Sequence, residues 1–209
     1  MQKLERIIGY KFKNKKLLKM ALTHPSFSHN ESYEKLEFLG DLILDAIVGI
    51  YLFKKYKDKD EGFLTDLKSA YVNKNYLKEI ADKINLKSFA RYKGENIKRT
   101  DKFLEALIGA IYLDGGFKKA ERFIKRFILS KELEPLKDYK NLILNYARKF
   151  KGTEPVYEIV KVYGPCHKRK YEVRVKIKGI RNVGREKGNS LKEAEILAAK
   201  SLYEKISKS

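Results

Sequence analysis

Apolar residues recur every three or four positions through about the first 133 residues of this chain, and only later every second position. Residues 1–22 place Leu4, Ile7, Ile8, Leu17, Leu18 and Leu22 on the apolar side of one or two short amphipathic helices, separated by a basic turn from Gly9 to Lys16. Pro25 disfavours helix at His24. A long helix is then expected from near Ser32 to about Tyr56, closed by the break Asp58–Gly62. Helices over 62–72 and 74–84 follow, with Leu64, Leu67, Ala70, Tyr71, Leu77, Ile80, Ala81 and Ile84 facing inward. Residues 85–100 form a basic connector. Another strongly apolar helix spans 101–116, ended by Gly115 and Gly116, and a further one spans 121–129 with Ile124, Phe127 and Ile128 on its apolar side.

The texture changes at Glu134-Pro135, which marks a domain boundary. A helix over 139–150 precedes three strand-like runs, 156–163, 170–177 and a shorter one near 181–185. The closing helix, 190–206, carries Leu191, Ala194, Leu197, Ala198, Leu202 and Ile206 at helical spacing. The expected fold is a mainly α N-terminal domain, residues 1–134, and a small α+β domain, residues 138–209, of order α-β-β-β-α with its helices on one sheet face.

Two apolar helices carry acids that do not fit an ordinary core. Glu34, Glu37 and Asp41 are spaced three and four apart, so they line one stripe of the long helix. Glu105, with Asp101 one turn before it, opens the helix over 101–116. A solvent-facing stripe is one account, but hydrophobes fill nearly every other position from Leu36 to Phe53, as in a helix that is buried or sits at a subunit contact. Buried acids need compensation. If the two helices pack side by side, a divalent cation with oxygen ligands supplies it. His24, alone beside a proline, fits a loop-stabilising hydrogen-bonder better than a catalytic base.

Charge narrows the partner. The 209 residues carry a net charge of +20, with an isoelectric point near 9.7, as suits a chain that meets a polyanion. Residues 138–209 hold 18 Lys and Arg against 8 Asp and Glu, and residues 1–137 hold 29 against 19, so each part contributes +10. Both parts are therefore expected to touch the polyanion. No apolar run reaches membrane-spanning length, and the N-terminus lacks the form of a signal peptide, so no membrane is expected. Cys166 is the single cysteine, which excludes an internal disulfide and suits a cytoplasmic protein.

The motifs carry a family resemblance. Glu34-Lys-Leu-Glu-Phe-Leu-Gly-Asp41 followed by Leu44 resembles the signature of the ribonuclease III family, and Glu105-Ala-Leu-Ile-Gly-Ala-Ile-Tyr-Leu-Asp-Gly-Gly116 resembles its second acidic motif. Leu22-Thr-His-Pro-Ser-Phe27 and Glu61-Gly-Phe-Leu-Thr65 extend the match in family order. The resemblance implies a homodimeric endoribonuclease that hydrolyses phosphodiesters of double-stranded RNA, processes rRNA and mRNA precursors and leaves short 3′ overhangs. It also implies Mg²⁺, with Mn²⁺ able to substitute, and no small-molecule cofactor beyond metal ions. Asp41 and Glu105 match the catalytic positions, Glu37, Asp41, Asp101, Glu105 and Glu61 the metal set, and Glu34 an outer acid.

The C-terminal part resembles a double-stranded-RNA-binding domain. Gly164-Pro165-Cys166-His167 matches the loop that enters a minor groove, and Ser190-Leu-Lys-Glu-Ala-Glu195 with Ala198-Ala199 matches the opening of the final helix. The RNA contacts implied are Gly164, Pro165, His167, Lys187, Ser190 and Lys192. Leu191 stands where the family often has a first lysine.

One position departs from the family. The second motif usually has an Asp three residues before the Glu, and this chain has Lys102 there, with Asp101 one residue earlier. At about 100° per residue, Asp101 lies roughly 40° from Glu105 around the helix and Lys102 roughly 60° away on the other side. Either Asp101 substitutes, or Lys102 projects its ammonium into the site and leaves a catalytically silent, dimeric RNA-binding protein on the same fold.

Overall fold

The computed structural model describes residues 1–94, 97–165 and 168–207. Two compact units divide the chain, residues 1–136 and 137–209.

Unit one is helical. Its elements are α1 (Gln2–Ile8), α2 (Lys15–Ala21), α3 (Glu34–Lys55), α4 (Glu61–Val72), α5 (Lys74–Lys83), a 3-10 turn (Leu86–Phe89), α6 (Thr100–Gly115) and α7 (Phe117–Phe127). α6 is the axis of the unit: from Phe103 to Ile111 every residue but Glu105 is buried. Leu4, Leu18, Leu36, Leu44, Leu67, Leu77 and Ile124 close around it from the other helices.

Two glycines set how closely α3 and α6 approach. A Cβ on Gly40 would lie 1.7 Å from the Glu105 carbonyl oxygen, and one on Gly109 would lie 2.3 Å from that of Leu36. Each helix thus presses backbone to backbone on the other, bringing the acids that flank Gly40 up to Glu105.

Acids outside the stripe serve the scaffold. Asp114 at the end of α6 accepts hydrogen bonds from the Tyr10 hydroxyl at 2.7 Å and from the amides of Lys13 and Asn14, pinning the loop between α1 and α2. Glu5, buried in α1, accepts from the Phe12 amide at 2.7 Å and pairs with Lys15.

Three boundaries differ from expectation. α7 starts at Phe117, four residues early, because Gly116 alone (φ 78°, ψ 178°) turns the chain out of α6. The 3-10 turn interrupts the basic connector; Asn85 enters it in the left-handed region (φ 52°), a conformation that asparagine tolerates. α3 starts at Glu34, two residues after Ser32.

Unit two comprises α8 (Tyr139–Lys151), β1 (Pro155–Tyr163), β2 (Lys170–Ile177), β3 (Val183–Gly188) and α9 (Leu191–Ile206). The strands form an antiparallel sheet in the order β1-β2-β3, with Tyr157 opposite Val175 and Val173 opposite Glu186. Val173, Val175 and Ile177 face Ile143 and Ala147 of α8 and Ala194, Ala198 and Leu202 of α9. β3 lies two to three residues later than expected and runs on to Gly188; both of its glycines press against α9, a Cβ on Gly184 meeting the Ala198 carbonyl oxygen at 2.0 Å and one on Gly188 the Ala194 nitrogen at 2.4 Å.

Candidate active site

Glu34, Glu37, Phe38, Asp41, Arg99 and Glu105 line a groove of about 480 Å³ on unit one. α3 supplies the first four from successive turns, and α6 presents Glu105 across the glycine contact. The groove gathers four of the acids named from the sequence.

Their surroundings differ. Burial pushes Glu105 up to about 7, with the charges of Asp41, Glu37 and Asp101 adding to the effect and Arg99 opposing it. Asp41 is raised by burial and by Asp45, one turn further along α3, while Lys68 pulls it down. Glu37 pairs with the Lys102 ammonium, Nζ to Oε1 2.8 Å, and Glu34 accepts a 3.1 Å bond from the Ser32 hydroxyl.

Asp101, 1% exposed, is not among the groove-lining residues. It is turned onto Arg99, whose Nε and Nη2 reach its carboxylate at 2.6–3.0 Å. Of the two alternatives left at this position, the structure gives Asp101 an arginine partner and brings Lys102 to the acids. Glu61, at the start of α4, accepts from the Thr65 hydroxyl at 2.9 Å and does not line the groove either. His24 has the expected loop role: its Nδ1 accepts the Ser26 amide at 3.1 Å, and its ring lies edge-on to Tyr33.

Among the described residues, no three His, Cys, Asp or Glu side chains converge to hold a metal ion. Two of the acids are instead ion-paired, Glu37 with Lys102 and Asp101 with Arg99. Asp41 and Glu105 remain as carboxylates whose charged forms are disfavoured by burial and by other acids, and both line the groove. These two fit a hard divalent cation, which takes oxygen ligands and would relieve their repulsion.

Helical spacing from Glu105 did not point to Arg99 or to Phe38. Arg99 precedes α6 with non-helical backbone (φ −108°, ψ 67°), outside any periodicity argument. Asp45 was legible, continuing the stripe four residues beyond Asp41; it pairs with Lys68 at 2.7 Å.

In unit two, Lys187 near the end of β3 and Lys192 in the first turn of α9 are exposed on either side of Ser190. The Ser190 hydroxyl caps α9 by accepting the Glu193 amide, and the Glu193 carboxylate accepts the Asn189 amide at 2.7 Å. Gly164 follows β1 with φ 82°, the left-handed region that favours glycine, and a Cβ there would meet the Lys168 carbonyl oxygen at 2.7 Å. Pro165 is exposed beside it; His167 lies outside the described residues.

An acid groove on a helical unit, attached to a strongly basic α-β-β-β-α unit, defines an enzyme that works on a polyanionic chain. Residues 14–132 match the family model Ribonuclease-III-like, and residues 139–206 match the double-stranded RNA binding motif. Ribonuclease 3 of Campylobacter fetus is 41% identical over 95% of both chains. That of Aquifex aeolicus is 40% identical over 100% of this chain and 98% of its own. The crystal structure of the nuclease domain of ribonuclease III from Campylobacter jejuni superposes with a TM-score of 0.60 at 39% identity, covering 64% of this chain and 98% of that one. The chain belongs to the ribonuclease III family and carries both its nuclease domain and its double-stranded-RNA-binding domain. Enzymes of this family generally depend on a divalent metal.

Proposed function

We propose that the chain hydrolyses phosphodiester bonds of double-stranded RNA at the acid groove of unit one, with unit two holding the duplex. The observation that carries the proposal is the pair Asp41 and Glu105, two groove acids raised by burial and by other carboxylates and, among the described residues, in no salt bridge such as Lys102 makes with Glu37. Asp41 and Glu105 would hold a divalent ion, Mg²⁺ or in its place Mn²⁺, with Glu37 beside them. Such an ion, once bound, polarises a phosphoryl oxygen and lowers the pKa of bound water. Glu105 is the group best placed to exchange a proton near neutral pH. Arg99 fixes the start of α6 through Asp101, and Glu34 and Glu61 act as outer acids. Gly164, Pro165, His167, Lys187, Ser190 and Lys192 follow the phosphates and the minor groove of an A-form duplex.

The chain works as a homodimer. Phe38, Leu42, Ile50 and Phe53 form a stripe along α3 and are 69, 52, 44 and 72% exposed in the single chain. A second copy covers such a face by two-fold symmetry. One structure of the Campylobacter jejuni nuclease domain, 41% identical with a TM-score of 0.59, is described as flexible in a region involved in dimer formation, which supports this assignment. Each protomer then cuts one strand, leaving short 3′ overhangs, and the substrates are rRNA and mRNA precursors in the cytoplasm. Among the described residues no helix is long and apolar enough to cross a membrane.

The test is incubation with a labelled RNA duplex across Mg²⁺ and Mn²⁺ concentrations, beside Glu105→Gln. Cleavage by the parent and at least a hundredfold loss in the variant is expected; no products from the parent under any condition refutes the proposal. Phe53→Glu should sediment as a monomer.

A further inference from the structure

Lys102 stands among carboxylates in a family that works with metal ions, and its position is well defined. Its Nζ lies 2.8 Å from Glu37 Oε1 and 6.0 Å from the centre of the Tyr33 ring, and Tyr33 is itself buried. The ammonium is thus held from two sides, by an anion and by a π face. Both ends of the ion pair are sheltered, with Lys102 30% and Glu37 20% exposed.

The charge balance of the cluster follows from its pairs. Asp101 is neutralised by Arg99 and Glu37 by Lys102, while Glu34 has a neutral partner in Ser32 and borders the groove. Among the described residues, Glu34, Asp41 and Glu105 remain in the groove without a salt bridge, and the charge of Asp41 raises Glu105. One divalent cation on Asp41 and Glu105 balances that inner pair when both are ionised. A second would have to take Glu37 from a tethered ammonium that is already partly sheltered and positioned, or bind without it. Two-metal phosphodiesterase sites use bridging and flanking carboxylates to hold both ions; here one of the flanking carboxylates has a built-in cation.

We propose that Lys102 is a resident cation that fills one of the positive positions of the acid cluster, so that each chain takes a single divalent ion, on Asp41 and Glu105, and Lys102 keeps a second ion from Glu37. The inference rests on the ribonuclease reading of the groove for its purpose, though not for its ion count. Lys102 acts as a positioning residue: it fixes Glu37 and contributes positive charge beside the groove. Asp101 does not restore a second ion site when Lys102 is removed, because it is buried against Arg99.

The test counts ions. Equilibrium dialysis with Mn²⁺ alone, monitored by the electron paramagnetic resonance signal of free Mn²⁺, is run on the full chain, on Lys102→Met and on Lys102→Arg. One ion per chain is expected for the parent and for Lys102→Arg, which keeps the charge, and two for Lys102→Met, which keeps the length and loses the charge. Two ions in the parent, or one in all three proteins, overturns the proposal. Thermal melts of the three proteins verify that the counts refer to folded chains. Duplex cleavage in the same samples separates the two readings. Absent cleavage with the expected ion counts removes the ribonuclease assignment alone, and cleavage by a two-ion parent removes the Lys102 assignment alone.

Discussion

Glu105 gives the sharpest consequences of a single side chain. Its pKa in the fold, about 7 against an ordinary 4.5, means that between those values the folded chain keeps a proton that the unfolded chain has lost. Stability therefore falls as pH rises through this window; the penalty is absent below about 4.5 and complete above about 7. Glu105→Gln should melt higher than the parent at pH 8, with the difference gone by pH 4. The gain should be about 1–2 kcal/mol, less than the ~3 kcal/mol equivalent of the shift, because the group is partly open to screening water. Protons and divalent ions also compete for this carboxylate, so Mn²⁺ affinity should rise by up to tenfold per pH unit below about 7 and level off above it, as titrations from pH 5.5 to 8.5 would show. Arg99 acts in the other direction. Arg99→Ala leaves Asp101 buried without its cation and should cost about 3 kcal/mol in a denaturant melt. Individual acids were legible from their three-and-four spacing, which is a property of the helix. Their partners were not: Arg99 reaches Asp101 from outside the helix, and Lys102 reaches Glu37 on another helix, a distance that no periodicity encodes.

Among the elements, α3 and α6 are defined by the contact at Gly40 and Gly109. Gly109→Ala would gain roughly 1 kcal/mol of helix propensity in isolation. Here the added methyl meets backbone, so the variant should lose at least 2 kcal/mol of stability and cleave poorly even where it remains folded. A melt and a duplex assay on the same protein check both. The sequence made these helices readable through their apolar period, and made the α-β-β-β-α order of unit two readable through the switch to alternation at β1 and β2. It ended β3 short of Gly188, a residue type that weakens a strand locally, whereas the fold uses Gly188, like Gly184, for close approach to α9. It missed the first turn of α7 for a related reason: two adjacent glycines look like a long break, and one of them, Gly115, is still helical.

For the whole molecule, charge is the governing quantity. With +10 on each part of the chain, duplex binding should weaken steeply between low and physiological salt. Replacing Lys187 and Lys192 together by Ala should reduce the slope of log K against log salt by about 2 and weaken binding similarly for unrelated duplex sequences, as filter-binding series would reveal. The glycine contact also has a consequence at this scale. Because Gly40 and Gly109 lock backbone to backbone around a fully buried stretch of α6, Glu105 has no hinge through which it could part from Asp41 while the remainder of unit one stays folded. The amide hydrogens from Glu105 to Ile111 should therefore exchange with solvent only when the whole unit opens, and loss of catalysis on heating should coincide with the melting of that unit rather than precede it.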